Sequence, residues 1–186
     1  VPGSGGKDSA YAAHLLKYRY NMNPLTVTWA PHLYTHIGWE NFTNWIHVGG
    51  FDNILFTPNG KVHRILTKLA FDKLLHPFQP FIIGQKIIGP LLSLKFNIPL
   101  IFYGENQAEY GNAIEENENP KMNEDFFSGE NDNYDDIILS GTPLKEILEK
   151  YNFKINDFNP YIPPRKEEIQ KLDIQQRFLG YYIKWD

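Results

Sequence analysis

Six consecutive residues near the start of the chain, Ser4-Gly5-Gly6-Lys7-Asp8-Ser9, have the types and spacing to cradle a phosphate. Two adjacent glycines let the backbone turn so that successive N–H groups point at one anion, and a helix that starts there adds the positive end of its dipole. Ser4 and Ser9 add hydroxyl donors. A Walker A loop is excluded by spacing. That loop needs Ser or Thr after its lysine, whereas Gly6-Lys7 is followed by Asp8, and the residue five before Gly6 is Val1. The competing reading is a glycine turn capped by Ser and Asp.

A second cluster, Gly104-Glu105-Asn106-Gln107-Ala108-Glu109, directly follows an apolar stretch that reads as a strand. In a doubly wound sheet the carboxyl ends of the strands line the ligand crevice, so Glu105, Asn106 and Glu109 are expected to face the same site as Ser4. Carboxylates there suit contact with a divalent cation or a ribose. His32 and His36 are four apart, but Pro31 makes that stretch a loop and no third ligand is near, which favours a site-lining loop over a metal centre. His63 and His76 flank a predicted helix and read as surface or packing residues, and Trp39, Phe42 and Trp45 as core.

The elements that must position these residues follow from hydrophobic spacing. Ser9–Tyr20 reads as a helix, Leu25–Trp29 as a β-branched strand stopped by Pro31, Gly38–Val48 as a helix and Asn53–Thr57 as a strand. Lys61–Leu75 follows as a long helix, Phe81–Ile83 as a strand or extended segment, Lys86–Phe96 as a helix and Pro99–Tyr103 as a strand. The alternation predicts an α/β fold with a parallel sheet covered by helices on both faces. The strand that should feed the first loop would lie upstream of Val1, or have Val1-Pro2 as its remnant, so the sequence reads as a fragment lacking its first strand. Residues 110–141 change to Asn, Glu and Asp and read as a long acidic loop. Pro143–Tyr151 reads as a short helix capped by Thr142, Asn159–Pro164 as an extended Pro-rich linker, and Lys166–Trp185 as the start of a helical segment. This gives one nucleotide-binding domain over 1–158 and an appendage over 159–186.

Composition bounds the function. The 186 residues are 42 % hydrophobic and 15 % aromatic, enough to bury a core. Net charge is −4, against a general nucleic-acid binder. Lys61–Lys95 holds six Lys/Arg against Asp72 alone, whereas Gly104–Asp136 holds eleven acids against Lys121 alone; solvated surface is the simplest reading of most of these charges. With no cysteine there is neither a disulfide nor a thiolate zinc site in this chain. No apolar run reaches the roughly 18 residues of a membrane helix, and no signal pattern opens the chain. A soluble cytoplasmic protein with no membrane or nucleic-acid partner is expected.

The run Ser4-Gly5-Gly6-x-Asp8-Ser9 resembles the S-G-G-x-D-S loop of the PP-loop ATP pyrophosphatases. Beyond it, Pro24–Gly38, Phe51–Gly60, Leu75–Lys86, Tyr103–Asn112 and Leu179–Asp186 resemble the N-acetyl sugar amidotransferase family within that group. The resemblance implies an adenine nucleotide alpha hydrolase-like fold with ATP and Mg2+ as cofactors. By it, Ser4, Gly5, Gly6 and Ser9 bind phosphates and Asp8 holds magnesium; by their place after the strand, Glu109 is a second candidate ligand and Gly104, Glu105 and Asn106 are expected to complete the cofactor site. Lys7 and Lys86 join Asp8 as candidate catalytic residues that steady phosphate or adenylate charge, and His32, Tyr34 and His36 are candidates for the sugar side. The implied reaction turns an acetamido group on a bacterial nonulosonic, pseudaminic-type sugar into acetamidino, for surface or flagellar glycans. Ammonia would come from solution or a separate glutaminase subunit, since the chain has no cysteine nucleophile. Family members extend at both ends, with a cysteine-bearing segment before the loop. Two other readings remain open at this point, a PP-loop tRNA sulfurtransferase and a non-catalytic adenine-nucleotide-binding module.

Overall fold

The alternation of strands and helices appears in the computed structural model, which describes residues 1–105, 119–130 and 134–184. The order is α1 (Lys7–His14), β1 (Leu25–Trp29), α2 (His36–His47), β2 (Asp52–Phe56), α3 (Gly60–Leu74), α4 (Gln79–Phe96), β3 (Leu100–Tyr103), β4 (Ile138–Leu139), β5 (Thr142–Pro143), α5 (Leu144–Tyr151), α6 (Lys166–Lys171) and β6 (Gln175–Phe178). β1 and β2 pair in parallel from Leu25 opposite Asp52 to Trp29 opposite Phe56, and β3 pairs in parallel with β6 from Leu100 opposite Gln175 to Tyr103 opposite Phe178. Parallel neighbours need a crossover, which α2 supplies between β1 and β2. Val1–Gly3 runs beside β1: Val27 N–H donates to Val1 O and Gly3 N–H to Val27 O, both at 2.9 Å, and Pro2 forms a parallel bridge with Val27. β4 and β5 make a two-residue antiparallel hairpin whose turn residues, Ser140 and Gly141, both have positive φ, 55° and 70°.

The core forms on both faces of β1. Val27 and Trp29 join Val62, Leu66, Ile88, Leu144, Ile147, Phe158 and Tyr161 in one cluster beneath α3 and α4. The alternate residues Thr26 and Thr28 are fully buried as well. Their hydroxyls are satisfied: Asn53 Nδ2 donates to both, at 2.9 and 3.2 Å, and Thr26 Oγ1 donates to Asp52 O at 2.7 Å. α1 wedges against two further groups. Ala12, Leu15 and Leu16 meet Phe102 and Leu179, while Ala13 meets Phe42, Trp45 and Phe51.

Several element boundaries differ from the sequence reading, each for a local reason. α1 begins at Lys7 rather than Ser9, and continues as a π-turn over Leu15–Arg19 in which Tyr20 N–H reaches back to Leu15 O. α2 begins at His36 because Thr35 Oγ1 accepts from Gly38 N–H at 2.9 Å. Phe81–Ile83 is no strand. It belongs to α4, started by Pro80 at a first-turn position where its missing N–H costs nothing. Gly84 lets this helix lie directly on Trp29, since a Cβ there would sit 2.3 Å from the indole. Thr142 does not cap α5; it is a β5 residue, and Pro143 holds the cap position.

The last third departs most. Ile155–Tyr161 is a 3₁₀ helix with Phe158 and Tyr161 buried in the main cluster, not an extended linker. After it, α6 ends at Lys171 and the chain returns as β6 instead of staying helical. Phe158 and Tyr161, on either side of position 158/159, share one core. Among the described residues no helix is long and apolar enough to cross a membrane.

Candidate functional site

Local geometry explains the glycines of the first loop. Gly5 has φ +84°, and a Cβ on it would come within 2.8 Å of Asn41 O and Phe42 Cα. The loop therefore rests backbone-to-backbone on α2, which only glycine allows. Gly6 differs. A Cβ there would meet nothing within 4 Å, so its bare backbone faces open space. No side chain caps α1, whose first helical bond runs from Ala10 N–H to Gly6 O at 3.0 Å. The N–H groups of Lys7, Asp8 and Ser9 precede it and have no intrahelical partner, leaving a positive first turn beside the glycine gap. Ser9 Oγ donates to Gly6 O at 3.1 Å, bracing the turn.

Gly104 brings in the other half. A Cβ on it would lie 2.4 Å from Asp8 O and 2.8 Å from Ser9 N, so the end of β3 presses against the first turn of α1. The next residue, Glu105, thereby joins Ser4, Gly6, Lys7, Asp8 and Ser9 around a cleft of about 650 Å³ of empty space, open mouth included. Val27, Trp29, Ile88 and Tyr103 form its apolar wall, and Gln85 of α4 adds a polar group. Two wall residues carry buried polar atoms without a hydrogen-bond partner, Trp29 Nε1 and Tyr103 Oη. Burial, and secondarily the charge of Glu105, pushes the Tyr103 hydroxyl far above its ordinary range, so it remains a donor at any physiological pH.

Asp8 and Glu105 thus bring two carboxylates to one cleft next to an anion-attracting helix end. Among the described residues no group of three His, Cys, Asp or Glu could hold a metal by itself. Two carboxylates nevertheless fit Mg2+, which takes one or two protein oxygens and completes its shell with phosphates and water.

The remaining candidates fall elsewhere. Gly5 lies beneath the loop, and Gly104 behind it. Lys86 does not line the cleft; its ammonium sits 5.6 Å from the centre of the Phe126 ring, and burial lowers its pKa. A helix turns about 100° per residue, so the neighbouring Gln85 takes the cleft-facing position. Neither His32, Tyr34 nor His36 lines the cleft. His32 pairs with His63, with their Nε2 atoms 2.9 Å apart. Tyr34 packs edge-on to Trp39 at 5.0 Å with its hydroxyl buried and unpartnered, and His36 is the exposed first residue of α2. Asn106 and Glu109 lie outside the described residues, as does much of the acidic stretch. Sequence reasoning missed Gln85, Trp29 and Tyr103. For Tyr103 the signal was its place as the last strand residue before Gly104.

No protein-family model and no curated protein matches the chain.

Proposed function

We propose that this chain is the nucleotide-binding part of an ATP-dependent N-acetyl sugar amidotransferase, acting on a nonulosonic, pseudaminic-type sugar in the cytoplasm. The observation that carries the reading is the convergence of Asp8 and Glu105 on one cleft at the uncapped start of α1, where Gly6 leaves its backbone open to a ligand. The fold proposal follows from the same place. Val1-Pro2, Val27 and Ile101 line a common cavity, and a Cβ on Gly89 would touch both Pro2 and Ile101. Placing Val1–Gly3 between β1 and β3 gives the sheet order β2, β1, residues 1–3, β3, β6. That is a doubly wound order whose direction reverses between residues 1–3 and β3, the position at which such sheets bind ligands. The Ser4–Ser9 loop leaves the sheet there.

In this reading the N–H groups of Lys7, Asp8 and Ser9, the hydroxyl of Ser4 and the Lys7 ammonium hold the phosphates of ATP, while Asp8 and Glu105 would hold Mg2+. The bound ion would neutralise phosphate charge. An amide oxygen is a poor leaving group, so the amide oxygen of the sugar attacks the α-phosphorus and pyrophosphate departs. Ammonia, from solution or a glutaminase partner, then adds to the carbon, the new C–N bond sheds a proton, and AMP leaves with the original oxygen. Trp29, Ile88 and Tyr103 exclude water from one wall, which strengthens each charge interaction in the cleft.

The test is pyrophosphate release from ATP by the full-length protein, with Mg2+, ammonia and an N-acetylated nonulosonic acid, and mass spectrometry of the sugar for a loss of about one dalton on conversion of amide to amidine. Release that depends on all of these components supports the reading; release driven by tRNA overturns it.

A further inference from the structure

Three side chains from separate elements form a hydrogen-bonded line behind the wall of the cleft. His32, in the loop after β1, faces His63 of α3 with their Nε2 atoms 2.9 Å apart, and His63 Nδ1 lies 2.7 Å from Tyr161 Oη. The buried end of the line dictates where its protons sit. Tyr161 is 1 % exposed, and the hydrogen of its hydroxyl has one acceptor among the described residues, His63 Nδ1. A buried donor left unsatisfied is costly, so Tyr161 donates to Nδ1. His63 must then carry its proton on Nε2 and donate it to His32 Nε2. This leaves the proton of His32 on Nδ1.

Burial lowers the pKa of His63 to about 4, so His63 is neutral near neutral pH and the order of donors holds. His32 is exposed, and its Nδ1 has no protein partner among the described residues. Two rings of the α4 start flank it, Phe81 at 5.4 Å and Phe78, 57 % exposed, edge-on at 6.0 Å. Trp29, which walls the cleft, packs against Tyr161 at 5.5 Å and His63 at 6.4 Å. The line and the cleft therefore share one wall at the carboxyl end of β1.

We propose that His32 binds the acceptor substrate, presenting Nδ1–H as a fixed donor to a carboxylate or hydroxyl oxygen, with His63 and Tyr161 as positioning residues that hold this proton on Nδ1. The identity of the ligand as a sugar acid rests on the amidotransferase reading; the tautomer does not. A donor beside an exposed aromatic ring suits a carbohydrate, which offers oxygen acceptors next to an apolar ring face.

Nitrogen-15 NMR of the histidine rings tests the tautomer, and steady-state kinetics tests the ligand. In the wild type, His32 is expected to be protonated on Nδ1, and in Tyr161→Phe, which removes the dictating hydroxyl, Nε2–H should become the main form. That variant should raise KM for an N-acetylated nonulosonic acid about tenfold with kcat within about twofold. His32→Ala and His32→Asn test the donor at an exposed position, with circular dichroism to confirm that each variant is folded. The alanine should raise KM at least as much, and the asparagine, whose Nδ2 stands near the lost Nδ1, should restore most of it. A wild-type His32 protonated on Nε2, or an unchanged KM in His32→Ala, overturns the proposal. Absence of pyrophosphate release with every N-acetylated sugar acid overturns the amidotransferase reading instead, and the nitrogen spectrum still decides the tautomer.

Discussion

At the amino ends of β1 and β3 a cavity of about 720 Å³ is walled by Leu16, Pro24, Leu25, Leu92, Ile98 and Leu100. At their carboxyl ends a cleft of about 650 Å³ takes in Ser4, Lys7, Asp8, Gln85 and Glu105. The sizes are similar and the chemistry is opposite, so volume does not mark the site. Direction does. Parallel strands deliver the starts of their following helices to one side of the sheet, and there unpaired N–H groups and charged loop residues gather. The amino-end cavity receives chain arriving from helix ends and needs only apolar contacts to close.

The sharpest way to break this contrast is to remove charge at the carboxyl end. Asp8→Asn keeps the size and the helix turn but loses the carboxylate that faces the cleft beside Glu105. Turnover should fall by roughly 10²–10³-fold, the scale of losing one charge-stabilising group, while circular dichroism and Tm stay at wild-type values. Normal pyrophosphate release by this variant would remove Asp8 from the chemistry and leave the cleft no better qualified than the cavity.

The converse change belongs at the amino end. Leu16 is 4 % exposed, lines the amino-end cavity and packs with Ala12, Leu15 and Leu179. Leu16→Ala should lower stability by about 3 kcal/mol, read by urea denaturation, because it enlarges a space that cannot collapse fully. At a temperature where the variant is folded, kcat/KM should match the wild type. A large loss of activity in the folded variant would show that the two ends are coupled.

How much of this was legible in the sequence follows from how local each feature is. The loop was readable because adjacent glycines and flanking hydroxyls act within six residues, and Glu105 was readable because Tyr103-Gly104 marks a strand end. Gln85 was not, because which residue of α4 faces the cleft depends on helix rotation, which the seating of Gly84 on Trp29 sets. The apolar run Phe81–Ile83 fits a buried strand or a buried helix equally by pattern, and only the full length of α4 decides. β6 reads Gln-Gln-Arg-Phe, with no β-branched residue, and is a strand because β3 offers it an edge. His63 looked like a surface or packing residue since its partner Tyr161 lies 98 positions away. The unpartnered Trp29 Nε1 and Tyr103 Oη are invisible without coordinates.

The finest distinction lies within the cleft, between a glycine the fold requires and one a ligand would require. Gly104→Ala places a methyl 2.4 Å from Asp8 O, a backbone atom that cannot swing aside. The end of β3 must then retreat from α1, with a stability loss of about 1–3 kcal/mol and weaker nucleotide binding from the displaced Glu105. Gly6→Ala adds the same methyl to open space at φ −67°, a conformation any residue adopts. Its stability should stay within about 0.5 kcal/mol of wild type. Nucleotide affinity, measured by calorimetry, should still fall about tenfold, because the methyl occupies the room in which a phosphate would approach the N–H groups of the first turn. Unchanged affinity in Gly6→Ala would mean that the open space at the start of α1 is not where the anion sits, and the assignment of Ser4–Ser9 would fail with it.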